Sequence, residues 1–400
     1  MSGPLEGVRV IDLGRVASAP FGALILGDLG AEVIKIEDVN GSFDRQIGQP
    51  SRNGVEAFFI NTNRGKKSIA LDLRSPEGRE AALTLIADSD AVVANFRPGV
   101  LTAMGLDYEA IHARNPRVVV AEITGFGESG PYRDMPAFDP VIQGLAGMIA
   151  LQRPAAGGPP DVIHNMIVDK ITSLFAANAI SAALYARERT GLGQRLEIPM
   201  LDSAVYFLWP EGMADQTFVG DFEAGRMGVK TLRLTEVADG FVVYMAIALK
   251  QRLGLLDAVN RSDLRTDPRF ATQSEMIKRE NLDALETIVR EEALKFPKED
   301  FIKRMNDAGV PCGPVLETSQ VVRNEHVEQV GLLRQWTHPV GGEVRSPRPP
   351  VRFSDTPADP TLELRPLGGD GPDLLRGSGY SEERIAELIE AGVLNPGEPR

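Results

Sequence analysis

Residues 167–190 read IVDKITSLFAANAISAALYARERT, and Gly191-Leu192-Gly193 follows them. Alanine, leucine and isoleucine recur on every side of a helix drawn from this stretch, and a helix that is apolar all round is a buried one. A glycine just past the last periodic residue is a common end of a helix. The stretch therefore predicts a long core helix around which the rest of the chain is arranged.

Asp169 lies in the first turn of this predicted helix. A carboxylate there interacts favourably with the helix dipole and with the unpaired N–H groups of the first turn. One interpretation is therefore a structural aspartate that caps the helix. The other is a partly desolvated carboxylate in a cleft, available as a nucleophile. The stretch alone leaves both interpretations open.

Upstream of this helix, short apolar runs alternate with helical patterns. Val8–Leu13 and Glu32–Glu37 have the pattern of buried strands, and the predicted helix between them covers Phe21–Leu29. Further strand patterns follow at 69–73, 91–95, 117–123 and 195–198. The alternation is typical of βαβ units with right-handed crossovers. It predicts an α/β fold with a Rossmann-like large domain built on a parallel sheet.

Glu37 ends the second predicted strand, where dinucleotide-binding proteins carry an acidic residue that binds a ribose. The phosphate loop of those proteins, G-x-G-x-x-G, is missing, because the first turn contains only Gly14. A nicotinamide or flavin site is therefore disfavoured.

Five cations fall at the ends of predicted strands, where open α/β sheets bind their ligands. They are Arg64, Lys66, Lys67, Arg74 and Arg97. Such side chains are either solvated surface charge or part of a site for an anionic, phosphate-bearing ligand.

The sequence is divided here into four segments. Residues 1–210 form the first part of the large α/β domain, 211–229 a linker or active-site loop, 230–309 a small α+β domain, and 310–400 the return to the large domain with a C-terminal wrap. The tail from Glu343 to Asp373 is rich in proline and glycine, which suits a segment that wraps a partner better than an independent unit.

Composition excludes several classes of protein. A net charge of −13 disfavours a nucleic-acid binder. The single cysteine, Cys312, rules out an intramolecular disulfide and argues against a thiolate metal cluster, so no metal site is predicted. No charge-free apolar run reaches about 18 residues, so no membrane span is expected. The first seven residues lack a basic patch and an apolar signal core, which predicts a cytoplasmic protein.

Several segments, in order and at matching spacing, resemble class III CoA-transferases, the family of formyl-CoA transferase, carnitine CoA-transferase and α-methylacyl-CoA racemase. They are PLEGVRVIDL at 4–13, DLGAEVIKIE at 28–37, NFRPGV at 95–100, GFG at 125–127, GLGQ at 191–194 and GVPCGPV at 309–315. Because these segments span nearly the whole chain, the resemblance is more specific than any one of them.

The resemblance implies a CoA-binding large domain built from both ends of the chain, a smaller domain between them, and an interlocked homodimer. It implies that Asp169 is the catalytic nucleophile, which moves CoA from an acyl-CoA donor to a carboxylate acceptor through an aspartyl anhydride and an aspartyl-CoA thioester. No tightly bound cofactor is implied, since coenzyme A enters as part of the substrate.

The resemblance also implies which residues contact CoA. These are Ala17, Ser18, Leu71, Asp72, Leu73, Arg74, Asn95, Phe96, Arg97, Ala137, Phe138 and Asp139. Asp38 and Ala103 stand where formyl-CoA transferase has CoA-binding arginines, so Arg15, Arg64 or Arg97 must supply the phosphate contacts.

Other departures concern the acyl site. Ala17 replaces a glutamine and Phe138 a tyrosine of formyl-CoA transferase, and the four-glycine loop is absent, with 220–228 carrying Arg226 instead. These changes disfavour formate and oxalate as substrates. The apolar residues Phe138, Met148, Phe207 and Trp209 would suit a bulky acyl group or belong to the core.

Two alternative functions remain. A 2-methylacyl-CoA racemase of the same family needs a histidine where this chain has Phe138, and the nearest histidine in sequence to Asp169 is His164. A non-catalytic CoA-ester-binding dimer would bind CoA without turnover.

Overall fold

The computed structural model describes residues 3–48, 50–154, 157–221 and 234–397. The chain divides into two compact units, Met1–Leu208 with Gly331–Arg400, and Trp209–Val330. The sequence interpretation placed the return to the large domain at 310, and its four segments remain a proposal. Residues 222–229 of the predicted loop, which include Arg226, and the first four residues of the predicted small domain lie outside the described residues.

The first unit contains two sets of strands. Those before residue 209 are β1 (Arg9–Asp12), β2 (Glu32–Glu37), β3 (Ser51–Arg52), β4 (Val55–Glu56), β5 (Lys67–Leu71), β6 (Ala91–Ala94), β7 (Val119–Thr124) and β8 (Arg195–Pro199). The second unit contributes β9 (Leu234–Val237), β10 (Gly240–Tyr244) and β11 (Cys312–Pro314), after which β12 (Leu333–His338), β13 (Gly342–Pro347) and β14 (Leu394–Asn395) return to the first.

The helices of the first unit occur before and after the second unit. Those before it are α1 (Ser18–Asp28), α2 (Ala57–Asn63), α3 (Pro76–Ala87), α4 (Val100–Ala103), α5 (Tyr108–Arg114), α6 (Asp139–Leu145), α7 (Met148–Leu151), α8 (Ile167–Thr190) and α9 (Met200–Leu208). The second unit holds α10 (Leu249–Ala258), α11 (Gln273–Met276), α12 (Arg279–Ala293), α13 (Lys298–Asp307), α14 (Thr318–Val321) and α15 (Glu325–Gln329), and the first ends with α16 (Gly371–Gly377) and α17 (Glu382–Glu390).

A seven-stranded sheet organises the first unit, in the order β14-β5-β2-β1-β6-β7-β8. All pairings are parallel except that of β14 with β5. The six parallel strands therefore follow the doubly wound order 3-2-1-4-5-6, as predicted for a Rossmann-like domain. In such sheets a ligand crevice opens where the strand order reverses, here between the carboxyl ends of β1 and β6.

Both faces of this sheet are covered, which explains why β2, β5, β6 and β7 are buried along most of their length. On one face, α3, α5, α16 and α17 share a core with the strands. On the other, α1 and α8 pack against each other and against the strands. The start of α3 is formed as predicted, with Pro76 at its first position and the Ser75 hydroxyl accepting a hydrogen bond from the N–H of Gly78.

The long helix α8 has the predicted bounds, but the prediction that it is buried on all sides is wrong. Ile171, Ala176 and Ile180 are buried, whereas Leu174 and Tyr185 are 59% and 69% exposed. The helix is long and apolar enough to cross a membrane, and half of its most apolar window is buried. A core helix passes the same test, so length and composition do not make α8 a membrane span.

The second unit is a small α+β fold. Its antiparallel sheet has the order β11-β10-β9, and β9 and β10 form the predicted hairpin. The single helix predicted over Glu275–Lys295 is two helices, α11 and α12. Cys312–Pro314 pairs with β10, which places this segment in the second unit.

The long polar segment between β2 and α2 was expected to be a loop. It instead contains a 3₁₀ turn at Phe43–Arg45 and the short hairpin of β3 and β4. At the other end of the chain, the Ser381 hydroxyl accepts a hydrogen bond from the N–H of Arg384, the predicted cap of α17.

Candidate active site

Three segments meet where the strand order of the large sheet reverses. Ser18 begins α1 after β1, Asn95 follows β6, and Asp169 lies in the first turn of α8. The Nδ2 group of Asn95 donates to Ser18 Oγ at 3.1 Å, and the Ser18 hydroxyl faces the Asp169 carboxylate, whose pKa it lowers. The structure thus brings together three residues that the sequence predicted for the site.

Asn95 also holds the turn between β1 and α1. Its side-chain amide accepts from the N–H of Arg15 and donates to the Arg15 carbonyl, both at 2.8 Å. The next residue, Val16, has φ 62°, which is rare for a β-branched residue and persists only where neighbouring contacts enforce it. Gly14 is required as well, because a Cβ there would lie 2.5 Å from that of Ala19.

Buried charges lie beneath this turn. Lys66 Nζ donates to Asp12 Oδ2, to the Pro20 carbonyl and to Asn63 Oδ1, each at 2.8 Å, and Lys35 Nζ donates to the Gly14 carbonyl at 2.8 Å. Burial would raise the pKa of Asp12, but the charges of both lysines outweigh it and hold that pKa below its usual value. For Lys66, burial is the dominant effect and lowers the pKa to about 8.

Three of the five strand-end cations are therefore not free to bind an anionic ligand, contrary to one reading of the sequence. Lys66 is enclosed as described, Arg64 forms two hydrogen bonds with Asp28 at 2.7 and 2.8 Å, and Lys67 is paired with Glu32. All three precede or begin β5, at its amino end. Arg64 is accordingly wrong as a candidate for the phosphate contacts.

Glu37, the acidic residue at the end of β2, binds protein rather than presenting a free carboxylate for a ribose. Its two carboxylate oxygens accept hydrogen bonds from Arg45 at 2.7 Å. Burial would raise the pKa of Glu37, but the Arg45 guanidinium outweighs it and lowers that pKa to about 2.

The other two cations lie at carboxyl ends of strands. Arg74 is paired with Asp72 at 2.8 Å, while Arg97 is exposed and makes no ion pair with any described residue. A cavity of about 520 Å³ opens beside them, lined by Leu73, Arg74, Arg79, Pro98, Gly99, Val100, Ala103 and Met104. Near it, the exposed Arg15 guanidinium stacks on Phe96 at 5.1 Å.

Asp169 does not cap its own helix, because the N-cap residue is Met166 and the side chain of Met166 accepts no hydrogen bond from the first turn. The N–H of Asp169 instead donates to Asp139 Oδ2 at 2.9 Å. Burial, and after it the charge of Asp139, raise the pKa of Asp169 to about 7, against the Ser18 hydrogen bond and the charge of Lys170. The Asp169 carboxylate is therefore a basic, partly desolvated group rather than a cap.

Two further residues of this site were not predicted. Ser173 Oγ lies 2.6 Å from the Ser18 carbonyl and 2.7 Å from the Asp169 carbonyl, and its one hydroxyl hydrogen is shared between them, which ties α1 to α8. Gln143 Nε2 donates to Asp139 Oδ1 at 2.6 Å. Each lies four residues after a predicted site residue in a helix, a spacing that brings side chains together and could have identified both.

The remaining predicted residues are spread around the site. Leu71 is fully buried in the core, and Ala137 packs against Gly125, where a Cβ would come within 2.7 Å of it. Phe138 is 71% exposed, whereas Met148 is 2% exposed and is therefore a core residue rather than part of an acyl site. His164 is exposed, with Nε2 3.4 Å from Asp161.

In the ranges that the structure describes, no group of three or more histidine, cysteine, aspartate or glutamate side chains could hold a metal ion.

Comparisons with known proteins show the family of the chain. The profile of CoA-transferase family III matches residues 5–371. Succinyl-CoA:glutarate CoA-transferase of Homo sapiens is 32% identical over 410 residues, covering 98% of this chain and 90% of that protein. Formyl-CoA:oxalate CoA-transferase of Bradyrhizobium sp. (strain ORS 278) is 32% identical over 426 residues, covering 99% and 98%. A CAIB/BAIF family protein from Brucella suis has a crystal structure that matches with a TM-score of 0.80 at 30% identity, covering 94% of this chain and 100% of that one.

The family match over nearly the whole chain, together with relatives named as CoA-transferases, shows that this protein is an enzyme. The chain belongs to CoA-transferase family III.

The raised pKa of Asp169 predicts how Asp169→Asn changes stability with pH. The pKa of Asp169 is near 3.9 in the unfolded chain and about 7 in the folded protein. As the pH rises between these values the unfolded state loses its proton and the folded state keeps it, so the free energy of unfolding falls. Because asparagine stays neutral, the variant should gain about 2 kcal/mol over the wild type between pH 5 and pH 8. Thermal melting at both pH values measures this, and a difference that is constant with pH would contradict it.

Proposed function

We propose that the protein transfers CoA from an acyl-CoA thioester to a carboxylic acid, with Asp169 as the covalent nucleophile. One observation carries the proposal: the carboxylate of Asp169 is largely buried beside Ser18 with its pKa raised to about 7, and its own helix does not use it as a cap. A carboxylate that is raised in basicity and shielded from water is a better nucleophile than one in solution.

The reaction balances without a cofactor. A carboxylate oxygen of Asp169 attacks the thioester carbonyl, CoA thiolate leaves, and an aspartyl anhydride forms. The thiolate attacks the Asp169 carbonyl of the anhydride, which releases the donor acid and leaves an aspartyl-CoA thioester. The acceptor carboxylate attacks that thioester to form a second anhydride and free thiolate. The thiolate then attacks the acceptor carbonyl, which completes the new acyl-CoA and restores Asp169.

The surrounding residues would position CoA for these steps. Ala17 and Ser18 are buried, so the contact they offer is through backbone N–H groups at the start of α1, which are unpaired at a helix N-terminus and suit an oxyanion or phosphate. The cavity that Leu73 and Arg74 line is proposed for the nucleotide end of CoA, and Arg97 and Arg15 for its phosphates.

The acyl site is proposed to be partly apolar, because Phe138 precedes Asp139 and its side chain is largely exposed. The names of the relatives specify succinyl-CoA, glutarate, formyl-CoA and oxalate as their substrates, and the donor and acceptor of this chain have to be determined separately. Donors and acceptors for this chain can be identified by incubating acyl-CoA esters with carboxylic acids and following CoA-ester exchange by mass spectrometry.

Racemisation and binding without turnover are not proposed. Phe138 cannot relay a proton, and His164 is exposed and faces Asp161 rather than serving as an identified partner of Asp169. A non-catalytic binder would leave Asp169 unmodified by acyl-CoA.

The nucleophile is tested by Asp169→Asn, which keeps the shape of the side chain but offers no anionic oxygen. Transfer should fall at least about a thousandfold, roughly 4 kcal/mol of barrier, while the affinity for free CoA is retained. Wild-type protein given donor without acceptor should carry CoA on Asp169, visible in the intact mass and removed by hydroxylamine. Near-normal turnover of the asparagine variant would remove Asp169 from the mechanism.

The phosphate contact is tested by Arg97→Ala. Loss of a hydrogen bond to a charged group should weaken binding of free CoA by about 1.5–3 kcal/mol in isothermal titration. Arg114→Ala is the matched control, because Arg114 is similarly exposed but is paired with Glu80 on α3. If the Arg97 variant binds free CoA with unchanged affinity, Arg15 rather than Arg97 would be the candidate for the phosphate contacts.

We further propose that the protein is an interlocked homodimer. The support is a set of exposed apolar side chains on two neighbouring helices. They include Leu174 and Tyr185 on α8 and Tyr206 and Phe207 on α9, each at least half exposed in the single chain. Exposed apolar surface of this kind is typical of an interface.

A dimer of threaded subunits should not dissociate on dilution. Mass photometry at nanomolar protein should show one species with twice the mass of the 43.3 kDa chain. A folded monomer under those conditions would contradict interlocking.

A further inference from the structure

The carboxylate of Asp139 is buried at the first residue of α6, and both of its oxygens are occupied. The side chain is 3% exposed. Oδ2 accepts from the N–H of Asp169 at 2.9 Å, and Oδ1 accepts from Gln143 Nε2 at 2.6 Å. Such a group points into the protein rather than toward a bound CoA.

Gln143 extends this contact to the turn that precedes α8. Its Oε1 accepts from the N–H of Ile163 at 2.9 Å. The carbonyls of Ile163 and Asn165 lie 3.2 and 3.1 Å from Nε2, and they share its second hydrogen when the first is donated to Asp139. The α6 helix thereby fixes the backbone on both sides of the point where α8 begins.

The start of α8 needs such a partner. The first N–H groups of a helix have no acceptor within the helix, and the N-cap residue usually supplies one. Here the N-cap is Met166, which has no accepting side chain, and the first-turn carboxylate of Asp169 is turned to Ser18. The missing acceptor comes from α6.

We propose that Asp139 is a positioning residue for CoA transfer: it caps α8 from a neighbouring helix, fixes the backbone of Asp169, and leaves the Asp169 carboxylate free to react. The inference rests on the proposed function, and it gives Asp139 this role in place of a contact with CoA.

The charge of Asp139 has a second effect. Asp169 is faced by Asp139 from α6, by the hydroxyl of Ser18 from α1, and by Lys170 of its own helix. The negative charge of Asp139 disfavours ionisation of Asp169, so Asp139 keeps Asp169 more basic. Removing that charge should lower the pKa of Asp169 and make it a weaker nucleophile that ionises at lower pH.

The experiment compares Asp139→Asn and Asp139→Ala in the full-length protein. Asparagine keeps one accepting oxygen without the charge, and the acid limb of its kcat/KM profile should move down by about one pH unit. Alanine removes the cap, and aspartyl-CoA formation from donor alone at pH 8 should slow roughly tenfold to a hundredfold, with KM for acyl-CoA within about threefold of wild type. Asp134→Asn is the control, because Asp134 is exposed and lies on the same segment.

The outcomes separate the possible roles. A raised KM for acyl-CoA with normal adduct formation would make Asp139 a CoA contact and overturn the proposal. A lowered melting temperature with an unmoved acid limb and a normal adduct rate would make it merely structural and also overturn it. If Asp139→Ala does not fold, the acid limb of Asp139→Asn decides. Failure of the wild type to form the adduct would instead reject the proposed function, and this inference with it.

Discussion

The site depends on the buried ion pair between Lys66 and Asp12 beneath the turn from β1 to α1. Lys66 binds both Asp12 and the Pro20 carbonyl, so it joins the end of β1 to the first turn of α1. Asp12 is also paired with Lys35 at 3.7 Å, whereas removing Asp12 would take away the carboxylate that pairs with the buried Lys66, which costs about 3–5 kcal/mol in comparable cases. Because Ser18 lies between these two anchors, the same pair fixes the hydroxyl that meets Asp169.

Most of the sheet could be predicted from sequence because its parallel strands and the helices between them have apolar patterns that are visible in the local sequence. The apolar runs around β1, β2 and β6 predicted a parallel sheet but not the order of its strands, and the bounds of α8 were predicted to the residue. The position of Asp169 followed from that helix. That Asp169 does not cap this helix could not be predicted from the helix alone, because the residue that accepts the hydrogen bond instead, Asp139, lies 30 residues away in sequence. Periodicity reports on neighbours along the chain and carries no information about such a contact.

The cations show the same limit. Arg64 and Arg97 look alike in sequence, yet Arg64 is held by Asp28 from 36 residues away, and Lys66 by Asp12 from 54 residues away. Local sequence cannot separate a cation that balances a buried charge from one left for a ligand. Nor could it separate the two faces of α8, since alanine and leucine suit the core of this chain and the surface of a partner equally well.

The last strand, β14, pairs with β5 through Leu394 and Asn395, and α16 and α17 supply Leu375, Ile385 and other apolar residues to the core of the first unit. Residues at the far end of the chain therefore close a sheet whose other strands are made first. During synthesis, the edge of β5 stays unpaired until residues 394 and 395 have been made, and an open edge of this kind can pair with another chain. A ribosome that stops early would release a protein with a nearly full set of site residues and an unfinished, association-prone sheet.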